Sequence, residues 1–172
     1  MLDESFHQER LRQKTPSTGL RELLQSGPNA TGEGSEASRA AFGCVRSPQE
    51  QAAAIELRFQ GGNSIWLSYH WLGWWHHNPS EGLLLKFSGD LVYLVVIRGS
   101  NLDRPISGGP LTLLAGLQQH RILWVREMSE EKFREIADSG PTIDSIQVEQ
   151  FESQAALKEW LSQNAPAFVS TR

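Results

Sequence analysis

From Leu91 to Ile97 the chain reads LVYLVVI without a charge, and the run stops abruptly at Arg98-Gly99. Seven consecutive apolar residues, rich in Val, are too few for a stable isolated helix and suit a strand buried on both faces. Such a strand cannot sit at a solvated surface, so whatever the chain folds into must place layers on both sides of it.

The neighbouring segments read as more β structure. Ile55, Leu57 and Phe59 alternate with Glu56 and Arg58, and Ile65, Leu67 and Tyr69 alternate with Ser64, Trp66 and Ser68, which is the period of a half-buried hairpin. Cross-strand partners share a face, so odd positions must oppose odd ones. A three-residue loop, Gly61-Gly62-Asn63, meets that parity by pairing 59 with 65 and 57 with 67, and it sets Arg58 opposite Trp66 on the outer face. Residues 74–78 form a third predicted strand. Residues 83–88 and 91–98 form a second hairpin about Gly89-Asp90, and 121–127 a sixth strand after a short helix over 111–119. Beyond it, Ser129 caps a helix reaching Ala137, residues 143–148 read as a strand, and 154–163 as a helix that buries Leu157, Trp160 and Leu161.

This order predicts a mainly β (α+β) protein: a small SH3-like or Sm-like antiparallel barrel with a C-terminal helix-strand-helix addition. Residues 1–50, rich in Ser, Gly, Pro, Gln and charge, are expected to be a disordered arm carrying at most a short helix at Gly19 to Gln25. Residues 51–127 are the barrel, and residues 128–172 an acidic α/β tail packed on it.

Charge and cysteine usage bound the function. The net charge of −4 is uneven, with four Lys/Arg against nine Asp/Glu in residues 127–172, while the arginines at 58, 98, 104, 121 and 126 are scattered rather than striped. The lone Cys44 has no internal partner, sits in a polar loop and has no histidine near it. No apolar run approaches the ~20 residues that cross a bilayer, and the amino end lacks the apolar centre of a secretory leader, so a cytoplasmic protein without membrane contact is expected.

Signatures of chemistry are missing: no GxSxG, Walker loop, GxGxxG or HExxH occurs. The expectation is a non-catalytic module with no catalytic residues, metal ligands or cofactor, with an enzyme that lacks a recognisable motif as a further alternative. Adjacent side chains on a strand diverge, so His76 and His77 cannot share a metal, and one each of Trp74 and Trp75 must face outward. Trp66 is the informative aromatic, since alternation assigns it to a face with Ser64, Ser68, Glu56 and Arg58. An exposed indole beside an arginine is a contact platform, which makes Trp66 and Arg58 candidate partner-binding residues for an unknown protein partner.

The run VVIRGSNL, Val95 to Leu102, resembles the second motif of the Sm-like RNA-binding proteins, an apolar strand followed by Arg-Gly, small polar residues and an apolar residue. The resemblance covers these eight residues; the family's first motif is not found. It implies that Arg98 and Gly99 help enclose a nucleotide base, with RNA as a second expected partner.

Overall fold

The computed structural model describes residues 40–106, 109–136 and 140–169, all within one compact unit. Most of the expected arm, including Gly19 to Gln25, lies outside the described residues. Eight strands are present among them: β1 (Phe42–Cys44), β2 (Ala54–Arg58), β3 (Ser64–Ser68), β4 (Leu72–Asn78), β5 (Gly82–Ser88), β6 (Val92–Arg98), β7 (Ile122–Arg126) and β8 (Ser145–Phe151). Four short helices accompany them: α1 (Leu113–Gln118), α2 (Glu130–Ile136), α3 (Gln154–Asn164) and α4 (Pro166–Val169).

The strands form two four-stranded sheets, each open at both edges. Sheet A has the order β1-β7-β2-β3 and sheet B the order β4-β5-β6-β8. Every pairing is antiparallel except β2 with β7. The mainly β expectation is met. β1 and β8 lie outside residues 51–127, yet each is an integral strand of a sheet. Cys44, expected in a loop, lies on β1.

The apolar run finds its explanation in the layering. One face of sheet B presents Leu83, Leu85, Phe87, Val95 and Ile97 to Phe42, Ile55, Leu57, Leu67 and Val125 of sheet A. The other face presents Leu84, Val92, Leu94 and Val96 to Leu157, Leu161 and Phe168 of the C-terminal helices. β6 is therefore the middle of three layers and needs apolar side chains on both sides. Each such residue, fully removed from water, contributes roughly 1.5–3 kcal/mol before ordering costs. Among the described residues sheet A has no third layer of this kind, and its outer face is formed by β1, β7, β2 and β3.

Two turns differ from the sequence reading. In the first hairpin Leu57 pairs with Ile65 and Ile55 with Leu67, two residues away from the expected register. Phe59 N–H donates to Asn63 O at 2.9 Å and Gly62 N–H to Phe59 O at 3.0 Å, so the connection is a longer loop in which Gly62 takes φ +89°. The faces survive this shift because it is even. Trp66 consequently opposes Glu56, and Arg58 opposes Ser64. In the second hairpin Ser88 pairs with Val92, and Gly89 N–H donates to Leu91 O at 3.1 Å, drawing Leu91 out of the strand into a three-residue turn.

Candidate functional site

On the outer face of sheet A, one cross-strand row runs Gly43, Trp124, Glu56, Trp66, and the next runs Arg126, Arg58, Ser64. These positions alternate with the buried Leu57 and Val125, which is why they point away from the core. Gly43 is what lets the Trp124 indole lie across β1: a Cβ built there would meet the indole Nε1 and Cε2.

The two arginines flank that ring. The Arg58 guanidinium lies 4.6 Å and that of Arg126 5.3 Å from the Trp124 ring centroid, both within cation-π range. Arg58 Nε also donates to Glu56 Oε2 at 2.7 Å, with Nη2 at 2.6 Å from the same oxygen. This hydrogen bond holds the Glu56 carboxyl below its usual range against the opposing effect of burial. Burial, followed by the charge of Arg58, lowers the pKa of Arg126, whose Nη2 donates to Ala40 O at 2.8 Å. Arg58 is thus a fixed group rather than a free surface side chain. Its aromatic partner is Trp124 and not Trp66, which corrects the expected Arg58 and Trp66 pairing.

Trp66 is 63% exposed, and the C-terminal helices that might have covered it pack on sheet B instead. Trp71 and Trp74 are also exposed, at 38% and 47%. Trp75 is half-buried against the core between the sheets, so the two adjacent indoles diverge. The histidines diverge as well: His76 pairs with Leu84 and His77 with Leu83, which face different layers. His76 Nδ1 lies 3.3 Å from Phe168 O, and the two rings meet edge to face at 5.7 Å. No group of three or more metal-ligating side chains occurs among the described residues.

Arg98 and Gly99 lie elsewhere. Arg98 ends β6 in sheet B, on the side of that sheet shared with Val96 and the C-terminal helices, and its Nη1 donates to Gln147 Oε1 at 3.5 Å. Gly99 packs against the backbone of Thr142, where a Cβ would meet the Thr142 carbonyl oxygen. Ser100 and Thr142 exchange backbone hydrogen bonds at 3.1 and 2.9 Å beside it. The structure brings Trp66 and Arg58 to one face and leaves Arg98 and Gly99 off it.

Trp124 and Arg126 are the members of this face that sequence reasoning missed. Their signal was the alternation around Val125, but only the parallel pairing of β7 with β2 places them beside Arg58, and nothing local announces that pairing. A separate surface hollow at the start of α2 carries Glu130, Glu131 and Asp144 with Arg134, and no His or Cys lines it. Comparison with protein-family models, with curated proteins and with solved structures finds no match for this chain.

Proposed function

We propose that the protein is a cytoplasmic, non-catalytic binding module, and that it contacts a protein partner through the outer face of sheet A, with Trp66 and Arg58 at the centre of contact. The observation that carries this reading is the 63% exposed Trp66 indole on a face whose other large groups, Trp124, Arg58 and Glu56, are already locked to one another. A prearranged face loses little side-chain entropy on binding, and Trp and Arg are the residue types that anchor interfaces. The SH3-like or Sm-like barrel belongs to the same proposal. Its support is that Tyr69–Trp71 alone carries the chain from β3 in sheet A to β4 in sheet B.

The test is retention of partner proteins from native cell extract on the immobilised full chain. Trp66→Ala is expected to reduce retention of specific partners at least about tenfold, as loss of a central anchor does, whereas Trp74→Ala leaves it unchanged. Equal retention by wild type and Trp66→Ala would overturn the reading. RNA contact through Arg98 is the second reading, favoured by the exposure of that guanidinium at the strand end.

A further inference from the structure

Four strands end the two sheets, and an edge offers unpaired N–H and C=O groups that monomeric proteins blunt by shortness, a bulge, a charge or a cover. β1 has three residues and a register shift between Gly43 and Cys44. β4 is irregular between Leu72 and Trp75. β8 carries Glu149, and its Ile146 N–H is taken by Glu127 Oε1 at 2.7 Å. Among the described residues β3 has none of these devices. It runs in regular register through Ser64–Ser68 with no charge and no proline, and Ser64, Ile65 and Trp66 are all exposed.

The hydrogen-bond phase says which groups that edge offers. Phe59 N–H donates to Asn63 O and Tyr69 N–H to Ala53 O, so the odd-numbered positions of this strand bond inward to β2. The backbone groups of Ser64, Trp66 and Ser68 are therefore directed outward.

We propose that β3 pairs antiparallel with β3 of a second copy across a two-fold axis at Trp66, joining two copies of sheet A into one continuous sheet. The strand reads Ser-Ile-Trp-Leu-Ser, a palindrome in side-chain size. An antiparallel partner centred on Trp66 sets Ser64 against the partner's Ser68, Ile65 against the partner's Leu67 and Trp66 against its own copy, the self-complementarity a two-fold interface requires. Ile65, 37% exposed, gains an apolar neighbour, and two indoles meet between small flanking serines. No charge on the strand opposes the pairing. His70, two residues beyond Ser68, would come opposite the partner's Gly62, and a Cβ at Gly61 or Gly62 meets nothing within 4 Å, so the loop leaves room. A peptide from another protein could use the same hydrogen bonds, but the palindrome selects a second copy. This inference rests on the backbone edge of β3; Trp66 belongs to both the edge and the outer face, and the variants at Ser64 and Ser68 test the edge with Trp66 kept.

The test is the mass of the full chain by sedimentation over about a hundredfold range of concentration. Wild type is expected to dimerise. Ser64→Asp with Ser68→Asp sets like charges opposite at both ends and is expected to weaken the dimer at least about tenfold. Ser64→Lys with Ser68→Asp sets opposite charges there and is expected to restore it. Asp at 68 keeps an acceptor for the His70 N–H, which Ser68 Oγ now takes at 3.2 Å. Trp66→Lys, a charge on the axis at an exposed position, provides a separate disruption should the double variants fold poorly. A wild type that stays monomeric throughout, folded like-charge and Trp66→Lys variants that dimerise as well as wild type, or an opposite-charge variant no tighter than the like-charge one would each overturn the proposal.

Discussion

Leu57 and Trp66 stand one strand position from being cross-strand partners and have opposite fates. Leu57 is fully buried between the sheets, and Trp66 is largely in water. Leu57→Ala removes core atoms from a close-packed layer and is expected to cost about 2–5 kcal/mol. Trp66→Ala removes an indole that is mostly exposed, while Arg58 and Arg126 lie over Trp124 instead, and its expected cost is within about 0.5 kcal/mol when unfolding is measured at a concentration where the chain is monomeric. Chemical denaturation of both variants checks this, and a Trp66→Ala loss as large as that of Leu57→Ala would place the indole in a packed environment. The face assignment of both residues was legible from alternation alone. The direct partner of each was not, because parity admits every register that differs by an even number of residues, and the choice fell to the hydrogen bonds of the Phe59 to Asn63 loop.

At the scale of elements, the patterned segments were readable, down to the five-residue strands β2, β3 and β7, and the three-residue β1 was not. β6 was plain because burial on both faces writes an unbroken apolar run, and α3 because Leu157, Trp160 and Leu161 recur at helical spacing; the structure adds a cap, Ser153 Oγ accepting from Ala156 N–H at 3.2 Å. β1 escaped notice: three residues, one of them glycine, carry no periodicity, and its place is set by Trp124 across the pair. The turn after β6 shows two readings of one dipeptide separating. Gly99 lies against the Thr142 backbone, which cannot withdraw as a flexible side chain does, so Gly99→Ala is expected to destabilise by about 1–3 kcal/mol. Arg98→Ala, at an exposed strand end with one 3.5 Å contact, is expected to change stability by less than about 0.5 kcal/mol. Thermal unfolding of the pair decides whether the Gly serves chain crossing. Equal, negligible effects would remove that role and leave the Arg-Gly turn to be explained by something it binds.

The described residues form three layers, and the connection between the two sheets is anchored to sheet A by a group that titrates. Tyr69 follows β3 directly, is buried, and donates its hydroxyl proton to Ile122 O of β7 at 2.9 Å while stacking on the His120 ring at 4.7 Å. Burial raises its pKa well above the ordinary phenolic range, and the hydrogen bond to Ile122 only partly opposes this. In the unfolded chain this tyrosine ionises near pH 10, whereas in the folded protein it keeps its proton. The folded state therefore binds more protons above that pH, and stability falls as pH rises. The contribution of Tyr69 is complete below about pH 10 and is lost progressively above it, until the pH passes the raised folded value. Tyr69→Phe is expected to lose about 0.5–1.5 kcal/mol at neutral pH from the missing hydrogen bond. It is also expected to flatten the alkaline decline, because phenylalanine has no proton to release. Denaturant unfolding of both proteins from pH 7 to about pH 11 measures the difference directly: the two stability curves should converge as pH rises, and parallel curves would show that the phenol is not protected from ionisation by the fold.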